Sequence, residues 1–223
     1  MLKIFSIFIF LFSSLVGYSQ YDSECFINTK KEIKLAIENI PVDSVHFQDT
    51  LVIDGKSRYV DTMFAVRNMN VDPYIIKIIG CTMPDFSFFN LDGQEFSINK
   101  TKADFIVLNF SFDCGDICSY QLDQFSKLQK VLGDSIAIYN IYDEPNERVK
   151  EIPKTYKIDN LQFVANADLL TFSYSLNVRR PFLYLLDSHK NIIYVKAGQS
   201  QTETATYIYD TLLEKIRSTH CGD

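Results

Sequence analysis

Between residues 75 and 217 the spacing of apolar positions changes several times, and each change marks an element. Phe105-Ile106-Val107-Leu108-Asn109-Phe110 is a nearly unbroken apolar run, the mark of a strand buried on both faces. From Cys118 to Leu132 apolar residues return at Leu122, Phe125, Leu128 and Leu132, which is one helical face. Ser135 to Tyr142 is apolar again over the length of a strand. Residues 146–156 read as a helix interrupted at Pro153, which has no backbone N–H. Leu161 to Val164 reads as a short strand and Asp168 to Ser175 as a short helix. Two segment pairs predict β-hairpins: Phe86 to Phe89 with Glu95 to Ile98, and Phe182 to Leu186 with Ile192 to Val195. A helix over 201–216 closes the series. Strand, helix, strand, helix, hairpin and last helix predict an α/β fold with a mixed central sheet flanked by helices.

The chain ahead of this domain is patterned differently. Residues 29–40 predict a helix with Thr29 as N-cap, Ile33, Ile37 and Ile40 on one face, and Pro41 as its stop. Val45 to Ile53 and Tyr59 to Val66 read as strands on either side of a turn beginning Asp54-Gly55. No chemical motif is found there. The first twenty residues read as a cleavable leader, with an uncleaved anchor as the other reading: Lys3, an apolar run from Ile4 to Val16, then the small residues Gly17 and Ser19. That run is shorter than the ~20 residues that span a bilayer. The nearest cysteine, Cys25, follows Asp22-Ser23-Glu24, which is no lipid-attachment motif. Export to the periplasm or another extracytoplasmic space is expected, with no stable membrane insertion. The predicted organisation is a leader over 1–20, a small N-terminal extension of unknown role over 21–74, the α/β domain over 75–217 and a tail over 218–223.

Composition narrows the function classes. The chain is 47% hydrophobic and 14% aromatic, which supplies a core and excludes wholesale disorder. Its formal charge of −6, with no basic cluster, excludes a nucleic-acid binder.

Export changes how the cysteines at 25, 81, 114, 118 and 221 are read, because an oxidising compartment pairs or oxidises exposed thiols. Cys25 and Cys221 lie near the two ends and form a candidate staple; Cys81 reads as a small buried residue. Cys114-Gly115-Asp116-Ile117-Cys118 carries the chemistry, since it joins the apolar strand to the amphipathic helix. A helix N-terminus lowers a thiol pKa and favours the thiolate. Asp113 and Asp116 oppose that effect with negative charge. Arg179 and Arg180, just before Pro181, are placed to supply positive charge across the fold. Residues i and i+4 of a helix have Cα atoms about 6 Å apart, within disulfide range. The pair therefore suits dithiol/disulfide exchange or a soft metal such as Cu(I), or it is two small hydrophobes.

The order of elements, together with four local segments, resembles the thioredoxin fold, and within it the exported TlpA/ResA-like redoxins. The segments are Ile79-Gly80-Cys81-Thr82-Met83-Pro84-Asp85-Phe86 with Asp92-Gly93; Val107-Leu108-Asn109-Phe110; Arg180-Pro181 running into Phe182-Leu183-Tyr184-Leu185-Leu186-Asp187; and Gly198. The resemblance covers residues 75–217. It implies thiol–disulfide exchange, with Cys114 as attacking thiol, Cys118 as its partner and Pro181, expected to be cis, as the backbone element facing substrate. It also implies thiols or disulfides of exported proteins as partners, a membrane or periplasmic reductant, and no cofactor. Aligned from Phe110, the family's second cysteine falls on Cys118 but its first falls on Gly115. Cys114 stands where the family places tryptophan, a residue absent from this chain.

Phe110 to Cys118 also resembles the C-x-x-x-C segment of Sco-type copper chaperones, which implies a Cu(I) ligand pair at Cys114 and Cys118. The histidine that completes that site would fall at Arg179 or Arg180, and the histidines here are His46, His189 and His220. His189 reads as a solvated turn residue. Cys118-Ser119-Tyr120-Gln121-Leu122 faintly resembles the peroxiredoxin segment, whose threonine position holds Gly115. Asp143-Glu144 reads as a solvated strand end, with a proton carrier as the other reading.

Overall fold

The apolar run at Phe105 becomes the middle strand of a five-stranded sheet. The structure is a computed structural model. It describes residues 24–35, 52–53, 56–57, 75–111, 116–167, 170, 181–197 and 206–220; for 52–53, 56–57, 116–118, 206–207 and 220 it describes the backbone alone. The expected leader, Cys114, His46, Arg179, Arg180, Cys221 and the expected helix over 168–175, apart from residue 170, lie outside the described residues.

The elements in chain order are a helix over 24–35 (α1), the short strands β1 (Val52–Ile53) and β2 (Lys56–Ser57), the hairpin β3 (Ser87–Phe89) and β4 (Glu95–Ser97), and β5 (Phe105–Ser111). Next come α2 (Asp116–Leu132), β6 (Ile136–Tyr142), the short helices α3 (Asn146–Val149) and α4 (Glu151–Tyr156), and β7 (Gln162–Val164). The chain closes with β8 (Phe182–Leu186), β9 (Ile192–Ala197) and α5 (Thr206–His220). The sheet order is β7-β6-β5-β8-β9. β5, β6 and β7 are parallel; β8 runs antiparallel to both β5 and β9. The mixed sheet predicted from the sequence is the one observed.

Alternation along the strands sorts side chains to two cores. Phe105 and Val107 of β5, with Leu183 and Leu185 of β8, face α2 and α5, where Leu122, Phe125, Leu128, Ile208, Leu212 and Ile216 meet them. Ile106, Leu108 and Phe110, with Phe182, Tyr184 and Leu186, face the other way, toward the hairpin β3–β4 and α1. Phe26 and Ile33 of α1 belong to that second core at 2% and 1% exposure, so part of the N-terminal extension is built into the sheet's cover.

Three expectations are corrected. The N-terminal helix already includes residue 24, so Thr29 is an interior residue and not its cap. Thr29 Oγ1 instead lies 3.7 Å from Cys81 Sγ. Cys81 is buried as expected, but it is bonded to Cys25 across 56 residues, with Cα atoms 5.5 Å apart, and this excludes the Cys25–Cys221 staple. The break between α3 and α4 falls at Lys150, not at Pro153. Pro153 is the third residue of α4, in the first turn, where a backbone N–H has no partner within the helix.

α4 ends through Lys157 at φ 54°, ψ 48°, with the Ile158 N–H donating to the Pro153 carbonyl at 2.9 Å. The left-handed region costs a side-chain-bearing residue about 1–2 kcal/mol, partly offset by the entropy a glycine loses on folding. Lys157→Gly is therefore expected to raise stability by about 0.5–1 kcal/mol, read as a higher urea midpoint.

Local hydrogen bonds account for two acidic positions in the opening and hairpin segments. Asp85 Oδ1 accepts from Ser97 Oγ at 2.8 Å and from the Asn99 N–H at 3.0 Å, tying the strand end of β4 to the segment before β3. Asp187 accepts from the Asn191 N–H at 2.8 Å and from its side-chain amide at 3.1 Å, which closes the β8–β9 turn. His189 is exposed in that turn, as expected, whereas Lys190 is buried and donates to the Thr101 carbonyl at 3.0 Å. Burial holds the Lys190 ammonium below the ordinary lysine range, and the nearby Asp187 carboxylate opposes that shift.

Candidate active site

Three chain segments meet at the carboxyl end of β5. Ser111 ends β5 beside Tyr142, the last residue of β6, and Phe110 pairs with Phe182, the first residue of β8. Continuing that antiparallel register by one residue sets Pro181 beside Ser111. The backbone of Cys118 is the third residue of α2, which puts it within the first turn of a helix of 17 residues. Asp143 and Glu144 follow β6 at the same edge. Both are half-buried, and Glu144 Oε2 is buried from solvent, so this edge is less open than the solvated strand end expected from the sequence.

Pro181 is buried and lines a small pocket with Gln121, Leu183, Tyr194, Lys196 and Ile208. The pocket lies between the first turns of α2, the start of β8, β9 and α5. Gln121 stands one turn beyond Cys118, a spacing that puts the two positions on one helix face. The pocket is mainly apolar, and behind it Gln121, 2% exposed, donates from Nε2 to Asn109 Oδ1 at 3.2 Å. Asn109 in turn donates from Nδ2 to Asn140 Oδ1 at 3.0 Å, and Asn140 donates to the Gln162 carbonyl at 3.4 Å. A buried chain of amides thus runs from the pocket across β5 and β6 to β7.

The redoxin family model matches residues 79–213, more than half of the chain. The chain belongs to the redoxin family. This redoxin shares its fold with the thioredoxin domain of a thiol-disulfide oxidoreductase from Bacteroides vulgatus (TM-score 0.51, 20% identity, 61% of this chain and 96% of that one). It is similar in the same way to a thiol:disulfide interchange protein from a Bacteroides species (TM-score 0.50, 20% identity, 61% of this chain and 88% of that one). A third likeness is to the peroxidoxin BcpB of Mycobacterium tuberculosis (TM-score 0.52, 15% identity, 63% of this chain and 96% of that one). A search of curated proteins returned no match.

Of the residues expected at the site of this redoxin, Pro181 stands just before β8 and the backbone of Cys118 lies in the first turn of α2. Cys114 falls in the segment between β5 and α2, outside the described residues. The described side chains do not complete a copper site. His189 lies in the turn after β8, at the far end of that strand from Pro181, a distance of about 15 Å for five residues. Among the described residues no group of three or more His, Cys, Asp or Glu side chains is placed to hold a metal. No described helix of the redoxin is long and apolar enough to cross a membrane.

The sequence reading missed the amide chain. Its signal was present: Asn109 and Asn140 are each the fifth residue of a largely apolar strand, and parallel pairing in register makes them direct neighbours.

Proposed function

We propose that this protein carries out thiol–disulfide exchange on exported proteins through Cys114 and Cys118, with Pro181 beside them to receive substrate backbone. The observation that carries the reading is the register of β5 against β8, which brings Pro181 to the edge where the chain runs through Cys114 into α2. Family membership and the N-terminal turn of α2, which favours a thiolate, support it. In the reducing direction the Cys114 thiolate attacks a substrate disulfide, forming a mixed disulfide and releasing one substrate thiolate. Cys118 then attacks the Cys114 sulfur, which releases the second substrate thiol and leaves a Cys114–Cys118 disulfide. A dithiol reductant restores the pair, and in the oxidising direction the same steps run in reverse. The leader over 1–20 supports export.

The test is trapping with single-cysteine variants. Cys118→Ser is expected to accumulate mixed disulfides at Cys114, seen as reducible high-mass species on non-reducing gels. Cys114→Ser is expected to trap none and to lose insulin reduction. Wild-type insulin reduction in both variants, with no trapped species in either, would sink the reading.

A further inference from the structure

The two sulfurs of the Cys25–Cys81 bond meet solvent unequally. Cys25 is exposed on α1, whereas Cys81 is 3% exposed and belongs to the core with Phe26, Ile78 and Met83. The backbone holds Cys81 in place: the Ile192 N–H donates to its carbonyl at 2.9 Å, and its own N–H donates to the Ile78 carbonyl at 3.1 Å. Thiolate displacement at a disulfide is in line, so the attacker enters opposite the sulfur that leaves. Cys25 is the exposed member of the pair, so attack on it, from the side away from Cys81, is the more open approach. Attack on Cys81 would have to come through the packed core. The sulfur released by attack on Cys25 is that of Cys81, and Thr29 Oγ1, 3.7 Å away, is positioned to donate to it. A hydrogen bond to the charged form lowers the thiol pKa, and a lower pKa makes a faster leaving group.

We propose that Cys25–Cys81 is a second thiol–disulfide exchange site, opened by a low-molecular-weight thiol that attacks Cys25 and displaces Cys81, with Thr29 as the donor to the departing sulfur. The incoming thiolate forms a bond to Cys25 Sγ while the Cys25–Cys81 bond breaks. Its electron pair leaves on Cys81 Sγ, which then takes a proton from water. A second thiolate attacks the small-molecule sulfur of the mixed disulfide, releasing Cys25 as a thiol and the two small thiols as their own disulfide. The two electrons that reduce the protein come from those two thiols. Cys81 is pinned beside Ile192, which pairs with Leu186, whereas Pro181 precedes Phe182 at the other end of β8. The attacking thiol of the proposal is therefore a small molecule and not a partner drawn from the Pro181 end of the sheet. The proposal is independent of the chemistry assigned to Cys114 and Cys118.

The experiment uses the full chain carrying Cys114→Ser, Cys118→Ser and Cys221→Ser, so that Cys25–Cys81 alone reports. Folded protein is incubated with millimolar glutathione, quenched in acid, alkylated in denaturant and mapped by peptide mass spectrometry. Glutathione on Cys25 with the alkyl group on Cys81 is expected. Adding Thr29→Val is expected to slow adduct formation about fivefold, the rate equivalent of one ordinary hydrogen bond. Glutathione on Cys81, an equal split between the two, or an adduct that forms only at the rate of global unfolding overturns the exchange site. A Thr29→Val rate equal to that of the parent overturns the role of Thr29.

Discussion

Changing Cys25 and Cys81 together to alanine is expected to cost about 4 kcal/mol of stability. The bond joins residues 56 apart, and the chain-entropy relation for a loop of that length gives about this value near room temperature. Without the bond, α1 is held to the sheet chiefly by Phe26 and Ile33, worth about 1.5–3 kcal/mol each when buried. A helix of that length is marginal by itself in water, so it forms only while those contacts hold. In urea the midpoint should fall and the slope should rise, because the unfolded chain is no longer looped and exposes more surface. At 2–4 °C per kcal/mol for a chain of this size, the melting temperature should drop by about 10 °C. A loss below about 1 kcal/mol would show that packing alone secures the helix, contrary to the entropic account.

The second large effect lies in the amide chain. Asn109→Leu keeps roughly the same shape but removes the acceptor for Gln121 Nε2 and the donor to Asn140 Oδ1, both at buried residues. An orphaned buried polar group costs about 1–3 kcal/mol, so the substitution is expected to destabilise by about 4 kcal/mol. Adding Asn140→Leu should cost much less than Asn140→Leu alone, because it removes one of the orphans the first change created. A coupling of about 1–2 kcal/mol is expected from the double-mutant cycle. Strictly additive losses would mean that the two amides do not act as one network. Gln121 also lines the pocket beside Pro181, so loosening it should disturb exchange more than the urea midpoint at a given temperature accounts for.

The elements that could be read from sequence are those whose evidence is local. β5 announces itself by the nearly unbroken apolar run from Phe105 to Phe110, and α2 by Leu122, Phe125 and Leu128 on one face. What escaped depends on contacts between distant segments. Nothing near Cys25 names Cys81 as its partner, since the pairing follows from α1 lying on the sheet beside the segment that opens the domain. Thr29 has the side chain of a cap, yet it serves within a helix because the chain has already turned at residue 24. Pro153 breaks helices in their middle, but the break at Lys150 moved it into a first turn. Asn109 and Asn140 were visible one at a time, and only the parallel register makes them a pair. Pro181 was found through a resemblance, and its neighbours Gln121 and Lys196 come from elements whose apposition the sequence does not state.

The position of the two bonded cysteines has a consequence for how the layer over the sheet is assembled. Cys25 and Cys81 both precede Phe105, so the loop their bond closes contains no strand of the central sheet. The bond can therefore close without any of the surface that α1 covers. Tyr184, whose ring centroid lies 6.3 Å from that of Phe26, comes more than a hundred residues after Cys81 in the chain and packs beneath the tethered helix. Thr82, next to the tethered cysteine, finds its partner Asn191 only 109 residues later, at 2.8 Å. The tether thus fixes α1 to the start of the domain, while the layer beneath it is completed by its last two strands.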